Sequence, residues 1–382
     1  MNTVEIKPEL IDWAINRSMK ASAVLKKFPT IKSWGKESNP TLRQLEQLAK
    51  MTFTPLGYFF LPKPPEDKLP IPDCRTVTGI GIQRPSPDLI ETIQIMQRRQ
   101  DWMRDYLIEQ GENPLPFIAS ASLSDNVIKF ANDIRAALRL KVDWAQESTN
   151  WTKALILLSE SVEEAGILIV FNGVVGNNTH RNLNVEEFRG FVLSDKYAPL
   201  IFINSKDAKA AQMFTIVHEL VHLWLGINGV INFRAMQPAN NDTEKFCDQV
   251  AAEFLVPKEQ IHACWPQFKQ SNEPFQELAR QFKVSPIVCA RRTLDLNLIT
   301  KAEFFNFYNL YLEDERRSVK RGSGGGDFYA TQNTRIGRHF FEVVSRATKE
   351  GQLLYRDAYQ LTGLHGKTFD EYIKKIDQGV RL

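Results

Sequence analysis

The feature that most constrains the fold is a pair of histidines four residues apart, His218 and His222, with Glu219 directly after the first. On an α-helix four residues advance about 400°, so both imidazoles point the same way, about 6 Å apart along the axis. The pattern predicts a helix over residues 206–225, with Ser205 as its N-cap and Gly226 just past its end. The two histidines can then share one metal ion, and Glu219 lies beside them as a base for a metal-bound water.

A catalytic zinc ion takes three protein ligands and a water, so a third ligand must come from another segment. The four cysteines have the wide, unpatterned spacing of reduced thiols and not of a thiolate zinc site: Cys74, Cys247, Cys264 and Cys289. A third histidine six residues after His222 is excluded, because that position holds Asn228. The predicted cofactor is therefore Zn²⁺ held by two histidines and a carboxylate.

A helix predicted over residues 242–255 supplies that carboxylate. Glu244 and Glu253 lie nine residues apart, on opposite faces, so only one of them can reach the metal. We predict Glu244, because it shares a face with Asp248, which can accept the second ring N–H of a zinc-bound histidine. In the alternative interpretation Glu244 and Asp248 form a solvated acidic edge. Glu253 is expected either at the surface or in contact with a residue that binds the metal.

The chain divides into five segments by pattern and composition. Short amphipathic helices predict a small all-helical module over residues 1–62, and four prolines between Lys63 and Pro72 indicate a linker over residues 63–87. Residues 88–315 combine helical patterns with strand patterns at 166–171, 188–195 and 198–203, which precede the motif helix. A basic, glycine-rich hinge at 316–326 and a small helical module at 327–382 follow. The predicted class is α+β, mostly helical, with a small mixed sheet.

The segment Phe214–His222, followed by Glu244-x-x-Cys-Asp-x-x-Ala-Ala-Glu-Phe-Leu-Val-Pro257, resembles the ImmA/IrrE metallo-endopeptidases, which are gluzincins. The resemblance extends over about residues 90–310. It implies a minigluzincin-like domain in which His218, His222 and Glu244 bind zinc, Glu219 is the general base and Asp248 supports a ligand. The family usually has asparagine at the position of Asp248, and either residue accepts a hydrogen bond.

Residues 8–60 resemble an Xre-type helix-turn-helix, with a recognition helix expected near residues 29–34. Its polar side chains Thr30, Lys32, Ser33 and Lys36 are the candidate contacts to DNA or to a protein partner. Phe28-Pro29 replaces the usual glycine-containing turn, and few arginines are available to read bases. Binding to DNA and docking on protein therefore stay open.

The expected function is a zinc endopeptidase of narrow specificity, and the resemblance to the ImmA/IrrE family implies that it cleaves a transcriptional repressor or antitoxin encoded nearby. A peptide substrate is expected along an edge strand at Arg189, Gly190 and Phe191. The alternative is a DNA-binding regulator or antitoxin whose peptidase fold is a sensor or scaffold; retention of Glu219 favours the enzyme. The N-terminus lacks an apolar signal core and the longest apolar run is residues 165–171, so a cytoplasmic protein without membrane partners is expected. Two further hypotheses are Cys74 as a latency switch, against a buried free thiol, and His180 as an oxyanion donor, against an ordinary loop histidine.

Overall fold

The computed structural model describes residues 3–18, 20–66, 69–72, 85–231, 242–313 and 328–377. Cys74 and the predicted hinge at 316–326 lie outside the described residues. The chain forms two compact units. The first holds the N-terminal module and the start of a long helix as far as Gln94, and the second holds residues 71 and 72 and the chain from Ile95 onward.

The N-terminal unit is built from helices α1 (Pro8–Ser18), α2 (Ala21–Lys27) and α3 (Leu42–Thr52). Its core is apolar and includes Leu10, Trp34, Leu45, Leu48 and Phe59. The prediction of a recognition helix over residues 29–34 is wrong, because the segment forms a single 3-10 turn, Ile31–Ser33. Gly35 follows with a φ of +73°, and this left-handed conformation prevents the turn from continuing as a helix.

After α3 and before the sheet, the described residues form the helices α4 (Pro87–Glu109), α5 (Val127–Ala137) and α6 (Trp151–Glu164). Helix α5 begins at Val127 because of the residue that precedes it. The Asn126 side chain accepts hydrogen bonds from the backbone N–H groups of Ile128 and Lys129, which makes Asn126 the N-cap. Asn150 caps α6 in the same way, through the N–H of Lys153. Polar caps thus set where these two helices begin.

The central sheet has the strand order β1-β5-β4-β6, with strands β1 (Leu168–Asn172), β4 (Gly190–Leu193), β5 (Leu200–Asn204) and β6 (Gly229–Ile231). Strand β1 is parallel to β5, and the other two pairings are antiparallel. Strands β2 (Val174–Val175) and β3 (Asn178–Asn182) form a separate hairpin. The predicted α+β class with a small mixed sheet is confirmed.

The prediction that Arg189, Gly190 and Phe191 form an edge strand for the substrate is wrong. Strand β4, which contains Gly190 and Phe191, is paired on both sides, with β5 and with β6. The pairing of β6 is responsible: this three-residue strand follows the motif helix and covers the side of β4 that would otherwise be open. All four residues of β4 are buried.

The motif helix α7 (Lys209–Leu225) packs against β4 and β5. Ser205 is not its N-cap, because the chain turns through residues 205–208 and the cap position is Ala208, which makes no side-chain cap bond. The Gln212 amide instead donates to the carbonyls of Ser205 and Asp207, which holds this turn against the first helical turn. The predicted end at Gly226 is confirmed, with a φ of +70°.

The remaining helices of the second unit complete the core and cover the sheet. They are α8 (Asp242–Leu255), α9 (Lys258–Phe268), α10 (Pro274–Phe282), α11 (Pro286–Asp295), α12 (Lys301–Glu313), α13 (Phe328–Ile336), α14 (Arg338–Lys349), α15 (Tyr355–Thr362) and α16 (Gly366–Asp377). Helix α8 packs on α7 and on α5. Buried Arg99 on α4 donates to the carbonyls of Arg335 and Leu361, which fastens the C-terminal helices to α4. Among the described helices, none is long and apolar enough to cross a membrane.

Candidate metal centre

Two helices bring the three predicted ligands to one point. His218 and His222 lie one turn apart on α7, and their Nε2 atoms are 3.1 Å from each other. Glu244, in the first turn of α8, places Oε2 3.1 Å from His218 Nε2 and Oε1 3.5 Å from His222 Nε2. Both histidines are fully buried and Glu244 is 6% exposed. The solvated acidic edge considered for Glu244 is therefore wrong for this residue.

These spacings suit a tetrahedral metal ion. In a zinc site with metal–ligand bonds of about 2.0–2.1 Å, neighbouring donor atoms lie about 3.3 Å apart. The two imidazole nitrogens and the carboxylate oxygens lie 3.1–3.5 Å from one another, which matches this spacing. Two nitrogen donors and one oxygen donor are also the ligand chemistry that zinc accepts in hydrolytic enzymes. The residues present fit a zinc ion.

Asp248 sits one turn after Glu244 and supports the first histidine. Its Oδ1 lies 3.1 Å from His218 Nδ1, so this carboxylate can accept the ring N–H and leave Nε2 to face the centre. Such a hydrogen bond sets both the tautomer and the orientation of the ring. Asp248 keeps a third of its side chain exposed and Glu244 is buried, so the two carboxylates differ in environment although they share a helix face.

Glu219 is fully buried beside the two histidines, and neither of its carboxylate oxygens has a hydrogen-bond partner in the described part of the chain. Burial raises the pKa of Glu219 well above its usual value, the neighbouring charge of Glu244 raises it further, and only His218 opposes the shift. A fold has little reason to bury an unpaired carboxyl group for stability, since doing so costs about 1–3 kcal/mol. This favours a chemical role for Glu219.

The backbone of β4 approaches Glu219 closely at Gly190. A Cβ atom at Gly190 would lie 2.6 Å from the Thr215 side chain, 2.9 Å from the Phe202 carbonyl and 3.1 Å from Glu219 Oε1. Only glycine lets the strand lie this close to α7. Gly190 therefore helps to shape the wall around the carboxylate, although the sequence pattern suggested it for a different reason.

The charges of the three ligands are strongly coupled. Burial lowers the pKa of His218, but hydrogen bonds to Asp248 and Glu244 outweigh burial and raise it to about 9. Burial raises the pKa of Glu244, but the two histidines outweigh this and lower it to about 2. For His222, burial is the largest influence and lowers the pKa. A metal ion entering this site would displace the proton shared by these groups, because a ligating imidazole must be neutral.

Cys247 is a second candidate for the third ligand. One potential ligand atom from each of His218, His222 and Cys247 lies within 4.8 Å of the others, and all three residues are buried. The Glu244 oxygens already lie at the donor spacing of a tetrahedral zinc ion, 3.1 and 3.5 Å from the two imidazoles. Glu244 is therefore the preferred ligand, with Cys247 beside it.

Of the two positions expected for Glu253, at the surface or behind the metal ligands, the structure excludes the surface. It is 4% exposed, and its carboxylate forms an ion pair with Arg292 on α11. Arg135 on α5 donates to the backbone carbonyls of Glu253 and Phe254 at 2.6 and 3.0 Å. These buried arginines fix the C-terminal end of the helix that carries Glu244. Sequence reasoning missed both, because Arg135 lies 118 residues from Glu253 and no local pattern links them.

The other predicted residues are placed as follows. Arg189 forms an ion pair with Asp207 at 2.6 Å, and the Phe191 ring stacks on Phe202 inside the sheet. His180 lies exposed on β3 in the separate hairpin. In the N-terminal unit Thr30, Lys32 and Lys36 are exposed around the 3-10 turn, and the Ser33 hydroxyl donates to the Thr30 carbonyl.

Comparison with known proteins supports this interpretation for the centre of the chain. Residues 162–294 match the family described as the IrrE N-terminal-like domain, a stretch that includes His218, Glu219, His222 and Glu244. The match supports a relationship of this domain to the ImmA/IrrE metallopeptidases. Residues 336–375 match a domain of unknown function. A search of curated proteins gave no match.

Proposed function

We propose that the protein is a zinc-dependent endopeptidase of narrow specificity that cleaves a regulatory protein. The observation that carries the proposal is Glu219, buried and without a hydrogen-bond partner among the described residues, next to three converging ligand side chains. A protein that used the fold only as a scaffold would keep the ligands for stability and would have no use for this carboxylate. The match to the IrrE N-terminal-like domain agrees with this choice.

Each residue has a distinct task in the proposed reaction. His218, His222 and Glu244 would hold the metal, and Asp248 would keep His218 in the ligating tautomer. The bound metal would polarise the scissile carbonyl and lower the pKa of its water toward neutrality. Glu219 would take the proton of the attacking water and deliver it to the departing amine. Acid–base transfer through one carboxylate requires no covalent intermediate.

The proposed substrate is a transcriptional repressor or antitoxin encoded nearby, and the N-terminal unit would dock the enzyme on DNA or on that protein. The family resemblance supports the substrate class. The exposed side chains of Thr30, Lys32 and Lys36 could contact either partner. A single 3-10 turn, Ile31–Ser33, is too short to fill a major groove as a recognition helix does, which favours protein docking.

The test is co-expression of the full chain with the product of the neighbouring reading frame. We expect wild type to convert the partner to a discrete fragment and Glu219→Gln to leave it intact while binding the same amount of zinc. Glu259→Gln makes the same chemical change at an exposed position on α9 and should cleave like wild type. An intact partner in the presence of zinc-loaded wild type would refute the endopeptidase and favour the regulatory scaffold.

A further inference from the structure

The two edges of the four-stranded sheet are covered in different ways. At the β1 edge the junction of α13 and α14 lies against the strand, because a Cβ at Gly337 would be only 3.1 Å from the Ile169 carbonyl oxygen. At the β6 edge the Val230 N–H donates to the Pro72 carbonyl oxygen at 3.1 Å. We call residues Leu69–Pro72 the strap. Among the described residues, the hydrogen bond on the outer side of β6 is the one from Val230 to the strap.

The strap is chemically a poor partner for a strand. Successive residues of a strand direct their N–H and C=O groups alternately to the two sides, so Val230, which bonds to Pro72, directs both groups away from β4. A fully hydrogen-bonded antiparallel pair exchanges two bonds. Pro72 accepts one bond, but as a proline it has no N–H to return to the Val230 carbonyl. Of the four strap residues only Ile71 is buried, at 8% exposure.

This edge lies one strand beyond β4, the strand whose backbone borders the candidate centre. Ile231 at the end of β6 is the register partner of Gly190 on β4, and Gly190 is the residue whose backbone approaches Glu219. Strands in a sheet are about 4.8 Å apart, so a segment added beside β6 would run about two strand spacings from β4. A protein segment bound there would extend the sheet whose strand β4 contacts Glu219, with β6 between the segment and β4.

We propose that the outer edge of β6 binds an extended segment of the protein substrate, and that the strap occupies this edge until the substrate displaces it. The proposal deepens the proposed function and rests on it. A substrate residue other than proline opposite Val230 forms both hydrogen bonds where Pro72 forms one. The strap has the advantage of being tethered, which gives it an effective concentration on the order of millimolar. Because Pro72 has no N–H to donate, the strap binds β6 weakly enough for a substrate segment that forms both hydrogen bonds to displace it.

The experiment measures binding of a peptide to the full-length protein in a Glu219→Gln background, so that hydrolysis does not consume the probe. The probe is a fluorescein-labelled peptide with the sequence of residues 64–73 carrying Pro72→Ala, which supplies the missing N–H. Fluorescence anisotropy compares the intact strap with a variant in which Leu69–Pro72 is replaced by Gly-Ser-Gly-Ser. We expect the strap-replaced protein to bind at least about tenfold more tightly, since the tethered competitor is gone.

Val230→Pro in the strap-replaced protein removes the outward N–H while leaving the groups that face β4, and an edge strand tolerates proline at such a position. We expect it to weaken peptide binding about three- to tenfold, and Val230→Ala, which keeps the N–H, to bind more tightly than Val230→Pro. Matching near-UV circular dichroism spectra would show that both variants are folded. Equal peptide affinity with and without the strap, or no binding to the strap-replaced protein, would overturn the proposal.

These outcomes are independent of the cleavage assay, because the readout is binding by a protein that lacks the base. If the peptide fails to bind while the co-expressed partner is still cleaved, the edge proposal alone is refuted. If the partner stays intact while the peptide binds as expected, the endopeptidase is refuted and the edge remains a protein-docking surface.

Discussion

Arg292→Met tests whether buried charges far from the centre hold α8 in place. The Arg292 guanidinium pairs with the Glu253 carboxylate and also donates to the Val256 carbonyl at 3.1 Å. The side chains of Arg292 and Glu253 are only 10% and 5% exposed. Methionine has a similar length and removes the charge, which leaves Glu253 with the Lys258 N–H at 3.2 Å as its remaining hydrogen-bond donor among the described residues.

The expected loss follows from this burial. Removing one partner of a buried, hydrogen-bonded ion pair costs about 3–5 kcal/mol, because the other charge stays buried without compensation. The free energy of unfolding of the second unit is measured by urea denaturation followed by tryptophan fluorescence, at fixed zinc concentration. Since α8 carries Glu244, we also expect Arg292→Met to bind zinc more weakly in a competition titration with a chelating dye.

The neighbouring arginine provides the control. Arg291 forms an i,i+4 pair with Asp295 at 2.9 Å, and both side chains are exposed, at 47% and 42%. Because solvent screens such a pair, Arg291→Met should cost at most about 0.5 kcal/mol. Equal losses for the two variants, or a loss below about 1 kcal/mol for Arg292→Met, would show that Glu253 is not held as a buried charge and that this pair does not position α8.

Substitutions at four further positions test the centre and the strand beside it. Glu244→Ala should release zinc in metal analysis of the purified protein while Cys247→Ala retains it; the reverse pattern would make Cys247 the third ligand. Asp248→Ala should lower zinc affinity by about 10–100-fold and Asp248→Asn by clearly less, because the amide oxygen still accepts the His218 N–H; equal losses would refute the proposed hydrogen bond. Gly190→Ala should destabilise the protein by about 1–3 kcal/mol through overlap with Thr215, measured by urea unfolding, and unchanged stability would show that β4 can move away from α7.

The pair of histidines could be placed from the sequence because their geometry is local. A helix sets the separation of residues 218 and 222 by its own rise and twist, whatever packs around it. The same holds for Glu244 and Asp248 on α8, which share one face because they are one turn apart. The structure then brings both pairs together, with His218 within 3.1 Å of each carboxylate.

The edge of the sheet could not be placed in this way. Whether β4 is an edge strand depends on β6, a segment of three residues that follows α7 and has no strand pattern of its own. The missing recognition helix has a more local cause, since Gly35 adopts a left-handed conformation directly after the 3-10 turn. The predicted N-cap at Ser205 failed because Gln212 reaches back to the carbonyls of Ser205 and Asp207 and holds a turn there.

By itself the sequence determined the two helices that carry His218 and Glu244, the α+β class and the residue types that can bind a metal and move a proton, because helix periodicity and side-chain chemistry act within a few residues. Tertiary structure alone decided that α8 brings Glu244 to within 3.1 Å of His218, that Glu253 forms a buried ion pair with Arg292, and that the strap bonds to β6 through Pro72. These contacts join segments that are 26 to 158 residues apart in the sequence. They form only when the domain is assembled, because strand order and helix packing decide which groups are buried and which are hydrogen-bonded.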